Sequence, residues 1–254
     1  MRHAVALAAL AAACTSGVEP HEIVFEAEHS AAGVDAVYID EEPSDWVAVV
    51  GDHEASVLAR MTAVAWAAPC EPRTDFGGVT LGFAEGDGTL DLLEHYVGPS
   101  AERVSLRDLA VHAPARVDAV VDVASGGVVV EGVAHIDLTT GAGDVRASCR
   151  GGGTIEQGIG STVDLTLTEL PDQDLRIKAY GDVTVQVPRG GSWTIDVKAH
   201  DAISISVDDL RYEDKFVEDE SSDSPQSHEL TVHLGAGARH ITIESESPVS
   251  IAAS

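Results

Sequence analysis

From Val117 onward the chain puts an aliphatic residue at every second position and closes each short run with a small turn. Val163, Leu165 and Leu167 alternate with Asp164, Thr166 and Thr168; Val183, Val185 and Val187 alternate with Thr184 and Gln186. Trp193, Ile195 and Val197, then Ile203, Ile205 and Val207, continue the pattern. A period of two gives each strand one dry and one wet face, and no segment sustains the period of 3.6 that a helix needs. The fold class that follows is all-β. Apolar residues make up 44% of the chain and aromatics only 4%, so branched aliphatics dominate, a balance suited to pleated surfaces. Only residues 92–96 read as one turn of helix.

Between the strands, Gly126, Gly143, Gly160, Gly181 and His200 recur about every twenty residues, inside related phrases such as Gly143-Asp144-Val145 and Gly181-Asp182-Val183. Units of that length stack, because each is too small to bury its own apolar face. The expectation is a parallel β-helix, or solenoid, of short repeated strands over residues 110–254. Its corners would be turned by glycines of positive φ and by aspartates that bond their own backbone. Residues 23–109 are expected to form a less regular β-rich part. Residues 210–229, dense in Asp, Glu and Ser, read as an acidic loop.

The first residues have the charged, apolar, small-residue order of an export signal: Arg2, an apolar run over 4–12, then Ala13-Cys14. Cys14 behind small residues resembles the lipobox of bacterial lipoproteins, although Ala11 stands where that motif prefers Leu and Leu10 comes one place early. Residues 1–14 then read as a lipoprotein signal ending in an acylated Cys14, and 15–22 as a tether. The other reading is a plain secretory signal cleaved near Ala13. Several acyl chains anchor stably where one is marginal, and Thr15 points to outer-membrane sorting. The expected location is therefore the cell envelope, as an exported outer-membrane lipoprotein. In an oxidising compartment Cys70 and Cys149 are candidates for a disulfide; the other reading is two separate buried thiols.

The 254 residues carry 43 acidic and 15 basic side chains, a net charge of -28, and only Lys178, Lys198 and Lys215 among the basic residues are lysines. This balance excludes nucleic acid as a partner, since phosphates demand a basic face. A solvated, self-repelling surface is the plain reading; scattered Ca²⁺ binding by carboxylates is the sharper one.

The repeated phrases Ser125-Gly126-Gly127-Val128, Gly143-Asp144-Val145 and Gly181-Asp182-Val183, with the strand-rich finish from Leu230 to Ser254, resemble the putative-adhesin domain family of bacterial cell-envelope proteins. The resemblance implies a β-solenoid, a late loop before a closing strand pair, and a place in the envelope. His200-Asp201, Gly126-Gly127 and the cluster Gly151-Gly152-Gly153 depart from the repeat.

Chemistry is harder to find. His233 and His240 would face each other across a hairpin around residues 234–238, as half of a metal site or as exposed strand residues. Ser125 and Ser161 lack the elbow of a nucleophile, and the glycine runs lack the helix of a phosphate cradle. Asp164, Asp182 and Asp201 would stack at equivalent corners, in the manner of a Ca²⁺ site or of a polysaccharide-active β-helix enzyme. Trp46, Trp66 and Trp193 are isolated, which leaves few platforms for sugar rings. No catalytic, cofactor or metal residues are therefore assigned. The expected function is non-enzymatic: an envelope-anchored, adhesin-like lipoprotein offering an acidic surface to a protein or glycan. A polysaccharide-active enzyme and a purely structural or sensory envelope module are the alternatives.

Overall fold

The computed structural model describes residues 19–41, 45–67, 76–96, 104–159, 161–169, 173–190, 192–206, 211–217, 227–234 and 239–253. Among them every regular element is a β-strand, apart from a 3-10 turn at Phe76–Gly78. The residues expected to form a helical turn, 92–96, belong to strand β6 (Thr89–Tyr96), paired antiparallel with β5 (Val79–Gly86).

In the middle of the chain, successive strands go to alternate sheets. One sheet takes β9 (Gly127–Val133), β11 (Val145–Cys149), β13 (Val163–Leu167) and β15 (Val183–Val187); the other takes β8 (Asp118–Val123), β10 (Ile136–Thr140), β12 (Gly153–Gln157) and β14 (Leu175–Ala179). Within each sheet these strands pair in parallel. The alternation read in the sequence is what makes this work. Val128, Val145, Val163 and Val183 fall in one register on the first sheet, and Val121, Leu138, Ile155 and Ile177 in one register on the second. All eight are buried in a single cluster that includes inward residues of both sheets. At about 25 cal/mol per Å² of apolar surface removed from water, this aliphatic filling is the dominant favourable contribution.

At three corners where strands of the second sheet end, the last inward residue is polar, whereas β8 and β14 end on Val123 and Ala179. Buried Thr140, Gln157 and Ser245 donate to the carbonyls of Ala142, Gly143 and Gly181. The Gly143 and Gly181 carbonyls gain a partner at the bend in this way, while that of Ala142 also accepts from the Gly126 amide at 2.8 Å. Gly143 has a φ of 134°, and a Cβ there would strike the carbonyl of Gly126 in the tier below. Gly181 has no positive φ; its requirement is clearance from the Ser161 carbonyl. The corner aspartates divide. Asp201 bonds local backbone as expected, accepting from the Ala202 amide at 2.7 Å, whereas Asp144 bonds the next corner, accepting from the amide and the hydroxyl of Thr162.

The order of tiers departs from chain order. β20 (Arg239–Ser245) lies between β14 and β16 (Trp193–Ala199), while β21 (Val249–Ala253) lies between β15 and β17 (Ile203–Ser206). The last two strands thus fill a slot between two earlier tiers. Register also shifts the sequence repeat by one place: Ala179, Ser245 and Ala199 align, as do Val183, Val249 and Ile203. His200 therefore stands in the column of Tyr180, and Asp201 in that of Gly181.

The part before residue 110 shares both sheets. β2 (Ala36–Glu41) pairs in parallel with β8, and β3 (Trp46–Gly51) with β9. β6 and β7 (Val104–Ala113) lie on the other side of β2 and β3. Antiparallel strands finish one end of the first sheet, with β1 (Glu19–Ser30) and β4 (Ser56–Ala67) beyond β7, and both ends of the second, with β5 beyond β6 and β19 (Ser227–Leu234) and β18 (Arg211–Val217) beyond β16; the other edge of the first sheet is the parallel strand β17. Such additions move the exposed edge away from the parallel stack. β18 falls inside the stretch expected to be an acidic loop, because Glu213 and Lys215 take register positions opposite Thr231 and Glu229. Neither sheet closes into a barrel.

Candidate functional site

Parallel registry converts sequence spacing into rows across the outward face of the second sheet. Glu156, Lys178, Glu244, Lys198, Glu229 and Lys215 occupy successive strands at one register position. Lys178 and Lys198 therefore stand in one row on either side of Glu244, and the backbone position of Lys215 continues the register beside Glu229. Opposite charges directly across strands are favourable and like charges are not. Two residues along, the neighbouring row runs Thr154, Arg176, Thr242, Asp196 and Thr231, with the Thr231 hydroxyl donating to Asp196 at 2.7 Å.

The face is electrostatically lopsided. At its other end Asp40 and Asp122 are direct neighbours, with Tyr38 beside Asp91. The Asp40 carboxylate, with burial and then Asp122 and Asp91 adding, pushes the Tyr38 phenol above its ordinary range. The lysines are thus concentrated at the end remote from this acidic patch.

At the lysine end a depression of about 170 Å³ opens between β14, β20 and β16, lined by Lys178, Tyr180, Lys198, His200, Glu244 and Glu246. Tyr180 is 50% exposed at the corner, and His200 Nδ1 lies 2.7 Å from Glu246 Oε2. A second depression of about 190 Å³ adjoins it, sharing Lys198 and Glu244 and adding the carboxylates of Asp196 and Glu229 and the hydroxyls of Thr231 and Thr242. Together they form a shallow groove across four strands, β14, β20, β16 and β19. Among the described residues neither Lys178 nor Lys198 stands within ion-pair distance of a carboxylate. Their ammonium groups are available to something else.

The residues singled out in the sequence fare differently. Cys14 and Cys70 lie outside the described residues. Cys149 is a free thiol buried in the core; it donates to the Gly151 carbonyl at 3.1 Å, and burial pushes its pKa up to about 12. His233 and His240 do not face each other, because β16 runs between their strands. They flank Thr194, with His233 Nδ1 3.3 Å from the Thr194 hydroxyl and His240 Nδ1 3.8 Å from Asp196. Asp164, Asp182 and Asp201 are not stacked: Asp164 sits in mid-strand between Arg146 and Thr184, and the inserted β21 tier separates the Asp182 corner from that of Asp201. Ser161 is a corner group whose hydroxyl accepts from the Gly143 amide at 2.8 Å. Trp193 is buried, whereas Trp46 is 46% exposed and lies over Gly127.

No family model matches this chain, and no curated protein does. Among solved structures it is similar to a "putative cell adhesion protein" from Clostridium sporogenes, at 12% identity over 93% of this chain and 100% of that one, with a TM-score of 0.47. It is also similar to a "putative adhesin" from Bacteroides fragilis, at 9% identity over 94% and 100%, with a TM-score of 0.23. A "putative lipid binding protein" from Parabacteroides distasonis shows 10% identity over 94% of each chain and a TM-score of 0.22.

Proposed function

We propose that this protein is a non-enzymatic, adhesin-like lipoprotein of the cell envelope, anchored through Cys14, whose stacked strands form a β-solenoid that offers its outward face to a protein or glycan. Successive strands alternating between two parallel sheets support the solenoid reading. A rigid stack of this kind yields a long flat face rather than a deep reaction chamber. The observation that carries the reading is the gathering of Lys178 and Lys198, two of the chain's three lysines, beside the exposed Tyr180 on one face of a body with a net charge of -28. Concentrating rare cations where they bound an open groove suits recognition, and polar groups flanked by an exposed aromatic ring are the usual elements of a contact surface.

The test has two arms on the full-length chain expressed in a bacterial host. Membrane fractionation with intact mass should show cleavage before Cys14 and acyl chains, and Cys14→Ala should release the protein from the membrane. Cells displaying the chain should adhere to surfaces coated with extracellular matrix protein or polysaccharide. A soluble, unacylated product, or display that confers no adhesion, overturns the reading.

A further inference from the structure

We infer that the groove between Lys178 and Lys198 binds a linear acidic glycan carrying one carboxylate for every two sugar rings. This rests on the reading above and names its ligand. Lys178 and Lys198 are on the strands either side of β20, so their backbones stand roughly 9 to 10 Å apart, two strand spacings. That is about the length of a disaccharide, so a chain with alternating charge places one carboxylate at each ammonium. Arg176 stands on the same face two residues before Lys178.

The remaining groups fit the neutral parts of such a polymer. Glu244, between the lysines, and Glu246, at the corner, accept from sugar hydroxyls. Thr231 and Thr242 extend hydroxyl contacts over the adjoining depression. Tyr180, half exposed at the rim, offers a ring face to a pyranose. Charge density selects against other anions. Glu156, Glu244 and Glu229 interleave the lysines, and the whole chain carries -28. Every ligand charge beyond those that meet the lysines is therefore repelled, which disfavours densely sulfated or phosphorylated chains.

The experiment is calorimetric titration of the full-length chain with a tetrasaccharide of alternating glucuronate and N-acetylglucosamine. A neutral cello-oligosaccharide and a heavily sulfated oligosaccharide of the same length serve as comparators. The alternating probe should bind about tenfold more tightly than either, and more weakly as salt rises. Lys178→Gln with Lys198→Gln should lower its affinity about tenfold, whereas Glu244→Gln should raise it by removing a like charge. Glu244→Gln keeps the inference testable even if the double variant folds poorly; circular dichroism checks both. Equal binding of the neutral probe, tighter binding of the sulfated one, or affinity indifferent to all three substitutions overturns the inference. So does sedimentation showing a dimer that the double variant dissociates, which would put a second copy on this face. Adhesion that persists without binding of the acidic probe sinks the ligand assignment alone; absence of adhesion and of acylation sinks the underlying reading.

Discussion

Asp144 Oδ1 accepts from both the amide and the hydroxyl of Thr162, each at 3.0 Å, and so ties one corner of the stack to the next. The amide bond first, then the hydroxyl, holds the Asp144 carboxyl below its ordinary range. A carboxyl depressed in the folded state contributes stability that is present above its unfolded pKa. That contribution is lost as pH falls through the folded value. Because Asp144 is exposed and its bonds are screened by solvent, Asp144→Ala should cost no more than about 1 kcal/mol near neutrality, and the gap in melting temperature between variant and parent should close on acidification. A gap that stays constant down to the acid limb of unfolding would refute this role.

Cys149 presents the opposite case, a group silenced by burial. With its pKa pushed up to about 12 and its hydrogen directed at Gly151, almost no thiolate exists at pH 8. Alkylation of Cys149 in the native protein should proceed only at the rate of opening, and rapidly in denaturant. Peptide mapping by mass spectrometry reads this directly. Fast native labelling would contradict the burial, and recovery of a Cys70–Cys149 cross-linked peptide would replace the thiol with the disulfide.

Core and ladder should separate by magnitude. Leu165 is buried between neighbouring tiers, and Leu165→Ala should cost about 2–5 kcal/mol. Lys178→Gln, on the solvated row, should cost less than about 1 kcal/mol. Denaturant melts of the two variants provide the comparison; equal losses would mean that the row is a structural girder rather than a surface.

The inserted tier should also define a cooperative unit. Ile243 is buried on β20, in register with Ile177 on one side and Val197 on the other. Ile243→Glu buries a charge without a partner and should be strongly destabilising. In hydrogen exchange the loss of protection should cover β16, β17, β20 and β21 while β10 to β13 stay protected, as expected for stacked tiers. Uniform loss across both sheets would show instead that the stack opens as a whole.

Local features of this fold were legible in the sequence because they are written at short range. The alternation of Val163, Leu165 and Leu167 marked the strand and its inward face, since a one-residue slip would expose the whole set. What stayed hidden was long-range pairing. Ile195 and Val197 present the same apolar pattern to β14 as Ile241 and Ile243 do, so pattern alone favours the neighbour in sequence over the strand that takes the place. The off-by-one reading of His200 has a similar origin, because Asp201 mimics the Gly-Asp phrase while the true column is set by Ala199 and Ile203. The candidate groove was invisible for the same reason. Lys178, Lys198 and Lys215 are scattered in the chain and meet in one row only after β20 and β19 have taken their places.

The slot filled by β20 and β21 sets a timetable for synthesis. A ribosome delivers β16 and β17 before the strands that must separate them from β14 and β15. An emerging chain whose β16 docks on the nearest open edge would hold a plausible but wrong neighbour, and would have to release it when residues 239–253 arrive. Rapid translation through the stretch before β20, or a chaperone that keeps β16 undocked, would then decide the yield of correctly built molecules, independently of how stable the finished protein is.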